Sequence, residues 1–359
     1  MYNIKTLPLS NSLKYVPSYR HGGDIYNNDV KYDFSVNTNP LGLPFLVKRK
    51  LAENTDVFAE YPDMQCRQLC EELSMVENIP GNKLLFGNGA SEIFKLAVDA
   101  IKPRKALVTA PSFLGYSYVL NGAGAGIEYY YLQEEKNFVL DIDILGKIPA
   151  SCDMVFLCSP CNPTGRIISK DILLNVLSYC EENNIYLVVD ECFLGFVPDY
   201  EMLSMKSELH SKYLIVVNAF TKLYAMAGLR LGWCACGNGE LLGTMRRMQP
   251  EWSVSVPAQM AGVYALKDKD YIVRTKELIH QEKAKMEGFL ENNGIKVFPS
   301  DANFLLVKSK INLYKKFLEK RVLIRQCNNF AGLSDGFYRI AIRSAEENSM
   351  FNKILMEVI

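Results

Sequence analysis

The sequence predicts an α/β protein with a large domain, built on a seven-stranded and mostly parallel sheet, and a smaller C-terminal α+β domain. Between residues 83 and 236, short apolar runs alternate with stretches of helical periodicity, the pattern of a parallel sheet wrapped by helices. A long, charged, amphipathic stretch follows, and strand-like runs return after residue 294. A chain of 359 residues is also too long for one ordinary core and fits two domains.

The elements follow in order along the chain. Seven apolar runs are the predicted strands of the large domain: residues 84–86, 106–108, 127–131, 154–157, 187–189, 214–217 and 232–235. Helices are predicted between several of these runs, for instance at 91–101 and 170–183, and residues 258–293 are predicted to form one or two helices. Residues 295–298, 304–307, 322–325 and 337–342 are the predicted strands of the smaller domain.

Three regions result from this pattern. Residues 1–45 are rich in Asn, Gly and Pro and are predicted to form an irregular arm that packs against the small domain or a partner subunit. Residues 46–257 are the predicted large domain, and residues 258–359 the small one.

Charge and composition indicate which partners to expect. The chain is 49% hydrophobic, and its 40 basic residues cancel its 40 acidic ones. A net charge near zero gives no field to attract nucleic acid or anionic lipid, and no apolar run reaches membrane-spanning length. Ten cysteines without a repeated spacing, several of them inside apolar runs, are typical of reduced thiols. We therefore expect a cytoplasmic enzyme with no nucleic-acid or membrane partner.

An acid and a lysine each follow an apolar run. Asp190 ends the run at 185–189, and Lys222 comes shortly after the run at 213–217. The carboxyl ends of parallel strands meet at the edge where open α/β sheets bind ligands. A lysine flanked by small and hydroxyl residues suits a Schiff base, and a carboxylate suits a pyridinium nitrogen. This pair points to pyridoxal phosphate chemistry.

Three further motifs also follow predicted strands. Gly-Asn-Gly-Ala-Ser-Glu at 87–92 opens a helix, where backbone amides and the helix dipole favour a phosphate. Pro-Ser-Phe-Leu-Gly-Tyr at 111–116 offers an aromatic side chain that could stack on a planar ring. Ser-Pro-Cys-Asn-Pro-Thr-Gly at 159–165 places the amide of Asn162 where it could donate to a ring oxygen.

The order and strand-end positions of these motifs resemble the fold-type I pyridoxal-phosphate enzymes, the class I/II aminotransferase superfamily, across essentially the whole chain. The resemblance implies pyridoxal 5′-phosphate as cofactor, with Lys222 carrying it and Asp190 at its pyridine nitrogen. It also implies a set of cofactor contacts: Asn162 at the ring oxygen, Tyr116 stacked on the ring, and Ala90, Ser91, Thr221 and Arg230 around the phosphate. Tyr61 matches the tyrosine that reaches the phosphate of the neighbouring subunit, which implies a homodimer with shared active sites.

Motifs near the two ends of the chain indicate which family within this superfamily the chain resembles. His21-Gly22-Gly23, with residues 33–42, is similar to the N-terminal signature of the threonine-phosphate decarboxylases, which supply aminopropanol phosphate to cobalamin biosynthesis. Residues 324–333 and 338–343 resemble the same family. Histidinol-phosphate aminotransferases are close relatives that share Tyr61 and Arg339 but usually lack the His-Gly-Gly and Arg-x-Cys elements. The resemblance implies a lyase acting on L-threonine O-3-phosphate. An aminotransferase acting on a phosphorylated or aromatic amine is the alternative.

The candidate substrate residues suit a phosphorylated amino acid. Arg325 and Arg339 can hold a carboxylate and a phosphate by bidentate bonds, although pairing with nearby surface acids is the alternative for both. His21, Gly22 and Asn37 can add donors from the N-terminal arm, and Asn162 is a further candidate. The two reactions differ in the bond at the substrate Cα that is held perpendicular to the ring: loss of the carboxylate gives a decarboxylase, and proton transfer to Lys222 gives an aminotransferase.

Some residues depart from the resembled patterns. Gln326 replaces an acid expected after the arginine, and Gly195 replaces an acid expected after the Phe193 motif. Phe193 itself stands where most aminotransferases carry a tyrosine bonded to the ring oxygen, which favours the decarboxylase branch.

Competing interpretations agree less well with the sequence. Cys158 and Cys161 have redox or zinc spacing, but no second pair follows, and three histidines in the chain argue against a multi-histidine metal site. A Rossmann-type dehydrogenase would share the alternating pattern, but the glycines at 122–126 are misplaced for a dinucleotide loop. A partner-binding homologue without catalysis would be expected to lose Lys222 or Asp190, and both are present.

Overall fold

The computed structural model describes residues 22–359, so the predicted substrate residue His21 lies outside the described part. Its strands are β1 (Tyr32–Asp33), β2 (Leu84–Asn88), β3 (Lys105–Ala110), β4 (Gly126–Tyr131), β5 (Met154–Cys158), β6 (Tyr186–Asp190), β7 (Leu214–Ala219), β8 (Leu231–Cys236), β9 (Lys296–Val297), β10 (Phe304–Lys308), β11 (Val322–Leu323), β12 (Arg325–Gln326) and β13 (Phe337–Ala341).

The α-helices of the described part are α1 (Phe45–Glu53), α2 (Arg67–Glu77), α3 (Ala90–Ile101), α4 (Leu114–Gly122), α5 (Lys170–Glu182), α6 (Tyr200–Leu203), α7 (Phe220–Leu223), α8 (Gly239–Met248), α9 (Val256–Leu266), α10 (Lys269–Asn292), α11 (Leu313–Glu319) and α12 (Ala345–Val358). None of these helices is both long and apolar enough to cross a membrane.

The central sheet has seven strands in the order β2-β8-β7-β6-β5-β3-β4. Only β8 runs antiparallel to its neighbours, and the strands from β7 to β4 are parallel. The predicted fold class, a seven-stranded and mostly parallel sheet with a smaller C-terminal domain, is therefore confirmed. Because β5, β6 and β7 are parallel and in register, Cys158 pairs with Asp190 and Asp190 with Val217, so the carboxyl ends of the three strands are aligned.

The apolar strands form this sheet because helices cover both of its faces. Every residue of β5 is buried, as expected for a strand inside a parallel sheet. Alternate residues enter different cores: Val155 and Leu157 pack on one side, and Met154 and Phe156 on the other. This alternation is the two-residue period of a β-strand, and it leaves the strand ends as the places where polar side chains can gather.

The smaller unit contains an antiparallel sheet in the order β12-β13-β10-β9. The single strand predicted at 322–325 is divided at Ile324 into β11 and β12, which pair with different partners. The predicted helical stretch at 258–293 forms two helices, α9 and α10. The side chain of Asp268 caps the second of them by accepting from the amide of Tyr271.

The N-terminal segment is attached to the C-terminal strands. β1 pairs in parallel with β11, and the carbonyl of Phe34 accepts from the amide of Ala341 at 2.9 Å. Residues 34–44 carry no helix or strand, in keeping with the predicted irregular arm. We propose to divide the chain at residues 45 and 257, as the sequence predicts.

Candidate active site

Asp190 and Lys222 lie at neighbouring carboxyl ends of the central sheet. Asp190 is the last residue of β6, and Lys222 lies in α7, which directly follows the adjacent strand β7. Asp190 is buried. Its Oδ1 accepts from the amide of Cys192 at 2.9 Å, and its Oδ2 accepts from the hydroxyl of Tyr116 at 2.5 Å. Burial raises the pKa of Asp190, whereas these hydrogen bonds and the charge of Lys222 favour the carboxylate.

The amine of Lys222 is poised to act as a nucleophile. Burial, together with the positive charges of Arg339 and Arg230, lowers the pKa of Lys222 to about 8. An amine with this pKa is neutral in roughly one molecule in ten at pH 7. The backbone is fixed as well, because the carbonyl of Lys222 accepts from the amide of Asn39 at 3.0 Å. A neutral, held amine of this kind can attack a carbonyl carbon.

Two glycines allow close contacts at the start of α3: Gly89 with the Arg230 guanidinium and Gly232 with the backbone of Ala90. A Cβ atom on Gly89 would lie 2.5 Å from a terminal nitrogen of Arg230, and one on Gly232 would lie 2.4 Å from the amide nitrogen of Ala90. Gly89 also has a φ of +76°, which glycine adopts without strain. The amides of the first helical turn and the Arg230 side chain therefore converge, and this arrangement fits a phosphate group.

The remaining predicted phosphate residues lie beside this cradle. Ala90 and Ser91 are the first two residues of α3, and Thr221 is buried in the single turn of α7. Strand β8, which Arg230 directly precedes, lies between β2 and β7. The helices that follow β2 and β7, α3 and α7, therefore begin on either side of β8. The described residues can thus accept a cofactor that carries a phosphate near Arg230 and a carbonyl near Lys222.

Arg339 connects three parts of the molecule. It lies in the middle of β13 and is buried, with one terminal nitrogen donating to Oδ1 of Asn162 and the other to the carbonyl of Ser35 at 2.6 Å. Its Nε is buried without a hydrogen-bond partner among the described residues. Burial lowers the pKa of Arg339 to about 10, so the side chain remains charged at neutral pH. A buried cation with a spare donor is suited to an anionic ligand.

Arg325 is the second buried arginine of the small domain. Its terminal nitrogen donates to Oδ1 of Asn329 at 2.8 Å, and its guanidinium lies 5.1 Å from the centre of the Phe330 ring. Gln326 follows it in β12. The structure thus places Arg325 and Arg339 on adjacent strands.

The structure encloses Tyr116, the residue that the resemblance implies stacks on the cofactor ring. The side chain of Tyr116 is 0% exposed, and its ring lies parallel to that of Phe156, with centroids 5.0 Å apart. Because α4 begins at Leu114, Tyr116 is inside a buried helical turn, and no ring face is open to a ligand. Phe113, just before that helix, is only partly buried, and its ring contacts Tyr116 edge-on at 5.5 Å. Sequence reasoning missed Phe113, although the same motif contains it.

The N-terminal candidates surround Ser35, the residue whose carbonyl holds Arg339. A Cβ atom on Gly22 would lie 2.3 Å from the Ser35 carbonyl oxygen, so only glycine fits there. The side-chain oxygen and nitrogen of Asn37 are buried without a partner in the described part of the chain. The backbone carbonyl of Asn37 accepts from Nδ2 of Asn303 at 3.1 Å. Asn303 is not among the candidate residues that the sequence predicts.

The structure places Tyr61 at the surface and Phe193 in the interior. Tyr61 is 79% exposed and packs against Trp252, with ring centroids 4.6 Å apart. A broad cleft of about 790 Å³ adjoins Trp252, but its lining includes neither Lys222 nor Asp190. Phe193 is buried against Phe304 at 5.1 Å. Among the described residues, no group of three potential metal ligands occurs.

Comparisons with known proteins agree with this geometry. The family model for class I and II aminotransferases matches residues 29–355. The threonine-phosphate decarboxylase of Salmonella typhimurium is 34% identical over 351 residues, covering 94% of this chain and 96% of the relative. The histidinol-phosphate aminotransferase of Methanococcus aeolicus is 29% identical over 348 residues, covering 93% of this chain and 91% of the relative.

A solved structure also shows the same fold. The crystal structure of the histidinol-phosphate aminotransferase from Clostridium acetobutylicum superimposes with a TM-score of 0.86 and 31% identity, covering 91% of this chain and 99% of that one. Enzymes of this family depend on pyridoxal 5′-phosphate, so the predicted cofactor is confirmed. This chain belongs to the class I and II aminotransferase family of pyridoxal-phosphate-dependent enzymes.

Proposed function

We propose that this protein decarboxylates a phosphorylated amino acid, with L-threonine O-3-phosphate as substrate and aminopropanol phosphate as product. The observation that carries the proposal is the pair of buried arginines, Arg325 and Arg339, on adjacent strands of the small domain. A substrate with both a carboxylate and a phosphate supplies one anion for each guanidinium. The near full-length similarity to a threonine-phosphate decarboxylase supports the same conclusion.

The cofactor residues follow from the geometry. When bound, pyridoxal phosphate withdraws electrons from the bonds at the substrate Cα. Nζ of Lys222 would hold the cofactor, and Asp190 would face its ring nitrogen. The phosphate would contact the cradle formed by Ala90, Ser91, Thr221 and Arg230. Asn162 would reach the ring oxygen, and we assign the stacking contact to Phe113 in place of Tyr116.

The substrate residues would orient the bond that breaks. Arg339, fixed by Asn162 and Ser35, would bind one anion of the substrate, and Arg325 the other. Asn37 offers a buried side chain that has no hydrogen-bond partner among residues 22–359, and it is close in sequence to Ser35. Gly22 and His21 precede it in the sequence. These contacts would turn the carboxylate perpendicular to the cofactor ring, so that the carboxylate is the group lost.

An aminotransferase of the histidinol-phosphate type is the second candidate. The observation that favours it is Lys222, whose lowered pKa suits an amine that accepts a proton from the substrate Cα. The aminotransferase from Clostridium acetobutylicum, with its TM-score of 0.86, is also similar to this chain. Family membership removes the Rossmann-type dehydrogenase alternative.

The remaining proposals concern assembly and setting. The exposed Tyr61 would reach the phosphate site of a second copy of this chain, giving a homodimer with shared active sites. We further propose that the enzyme is cytoplasmic and acts in cobalamin biosynthesis, with no nucleic-acid or membrane partner.

One assay separates the two reactions. The purified enzyme is incubated with phosphothreonine, phosphoserine and histidinol phosphate, while carbon dioxide release and keto-acid formation are followed in parallel. The proposal expects carbon dioxide from phosphothreonine and no matching keto acid. Keto-acid formation from an amino donor faster than carbon dioxide release would place the chain with the aminotransferases. A Lys222→Ala protein controls for uncatalysed decomposition.

A further inference from the structure

The carboxylate of Asp190 accepts a hydrogen bond from a fully buried phenol, that of Tyr116. The Tyr116 hydroxyl donates to Oδ2 of Asp190 at 2.5 Å, and the whole Tyr116 side chain is enclosed. Its ring lies flat on Phe156, and Phe94 contacts it edge-on at 5.1 Å. The phenol is therefore fixed in a rigid aromatic setting, with its hydroxyl directed at the strand end.

A thiol adjoins the same hydroxyl from β5. Cys158 is the Cα partner of Asp190 in the pairing of β5 with β6, and its thiol lies within hydrogen-bonding reach of the Tyr116 hydroxyl. Cys158 is itself buried, and its Sγ also contacts the carbonyl of Pro160 at 3.2 Å. Around the carboxylate, the other titratable groups that interact with it are Cys192 and Lys222. A connected series of buried polar groups thus runs from Cys158 through Tyr116 to Asp190.

We propose that Tyr116 is a positioning residue that keeps Asp190 ionised and thereby holds the proton on the ring nitrogen of the cofactor, with Cys158 aligning the phenol. The inference rests on the proposed position of Asp190 at that nitrogen. It gives Tyr116 a role that differs from ring stacking, and it gives Cys158 a role that needs no redox or zinc chemistry.

Asp190 and the ring nitrogen of the bound cofactor would share one proton. Between a carboxylate and a ring nitrogen in a buried site, the proton can rest on nitrogen, giving an ion pair, or on oxygen, giving a neutral pair. A hydrogen bond donated to the carboxylate stabilises only the ion pair. Burial and the adjacent Asp190 charge raise the pKa of Tyr116 well above its usual range, so the phenol keeps its own proton and acts only as a donor. Removing the donor should shift the shared proton towards Asp190.

The test measures where that proton lies. Wild-type and Tyr116→Phe apoproteins are reconstituted with cofactor labelled with ¹⁵N at the ring nitrogen, and the ¹⁵N chemical shift is recorded at one neutral pH. Asp190→Asn supplies the value for an unprotonated ring. Tyr116→Phe should move the shift part of the way from the wild-type value towards the Asp190→Asn value. Cys158→Ala, which retains the phenol, should move it in the same direction by less.

Phe94→Leu is the matched control for packing, because Phe94 contacts the Tyr116 ring without touching its hydroxyl. It should leave the ¹⁵N shift at the wild-type value. An unchanged shift in Tyr116→Phe, together with a changed one in Asp190→Asn, would overturn this inference and leave the proposed role of Asp190 standing. A wild-type value in Asp190→Asn itself would overturn both. Since the shift reports a proton position and not turnover, either result is independent of which substrate the enzyme uses.

Discussion

Arg325 is the Cα partner of Arg339 in the antiparallel pairing of β12 with β13, and each residue is only 6% exposed. Like charges directly opposite each other on paired strands repel, and burial adds to that cost. The hydrogen bonds of Arg339 to Ser35 and Asn162 go to neutral oxygens. Such an arrangement gains most from a ligand that brings two negative groups.

Replacing either arginine should therefore weaken catalysis selectively. Arg325→Gln or Arg339→Gln should lower kcat/KM for phosphothreonine by an amount equivalent to about 2–5 kcal/mol, by analogy with buried, hydrogen-bonded charge pairs. For unphosphorylated threonine, which has only the carboxylate, the loss should be much smaller in the variant that lacks the phosphate-binding arginine and comparable in the other variant. Arg321→Gln is a matched control, because Arg321 pairs with Asp29 at the surface of the same domain. Equal losses for the two substrates in both variants would contradict the assignment of two anions to two arginines.

Lys222 should carry the cofactor. The purified protein should absorb in the visible range, and borohydride reduction should fix a pyridoxyl group on the peptide that contains Lys222, as mass spectrometry would detect. Lys222→Ala should lose the reducible linkage, whereas substitution of the partly buried Lys283 on α10 should retain it. Label on another lysine would show that the attachment site is elsewhere.

The attachment of cofactor to apoprotein should depend on pH in the direction set by Lys222. Only the neutral amine attacks a carbonyl, so the attachment rate should rise with pH around a midpoint near 8. Since the positive charge of Arg339 contributes to the lowered pKa of Lys222, Arg339→Gln should move that midpoint upwards. Stopped-flow absorbance measured across about pH 6–10 would give both midpoints. A midpoint near the ordinary lysine pKa would argue against a buried, desolvated amine.

The negative charge of Asp190 should be required for catalysis. Asp190→Asn keeps the shape of the side chain but cannot balance a positive ring nitrogen, so kcat should fall by several orders of magnitude. Asp190→Glu should retain part of the activity because it restores the carboxylate. Circular dichroism would check that both variants fold. Normal turnover by the Asn variant would show that another group faces the ring nitrogen.

Tyr61 should act across a subunit interface. Tyr61→Ala and Lys222→Ala proteins should each be impaired, because each lacks one component of every site. In a mixed dimer, one site would lack both side chains and the other would be intact, so random mixing should restore about one-quarter of the native sites. The measurement is activity after dissociation and reassociation of the two variants, and reassociated single variants are the control. If Tyr61 served its own subunit, mixing would restore nothing.

The sequence predicted the sheet and its polar edge well because both depend on local patterns. The strands of the central sheet are short, continuous apolar runs that helices cover on both faces, and such runs are visible without a structure. Asp190 and Lys222 follow two of these runs, so their neighbouring positions required only that the strands be parallel and adjacent.

Features that depend on one residue of register or on distant contacts could not be predicted in the same way. Phe113 and Tyr116 belong to one motif, and only the start of α4 at Leu114 decides which ring is enclosed. Strand β1 has two residues, too few for a periodic pattern, and its partner β11 lies nearly three hundred positions later. The contact between Ser35 and Arg339 spans 304 residues of chain, and no local propensity encodes it.

The attachment of β1 to β11 also has a consequence for protein engineering. The segment that carries Gly22 and Asn37 is bonded to β11, which precedes Arg325, and to β13, which carries Arg339. The Ser35 carbonyl also accepts from Arg339 directly. Transplanting only the C-terminal third of this chain into a relative would separate Arg339 from the backbone carbonyl that aligns it. A chimera that exchanges residues 22–39 together with 304–343 as one cassette would keep that alignment, so recombination breakpoints for altering substrate preference belong outside both stretches.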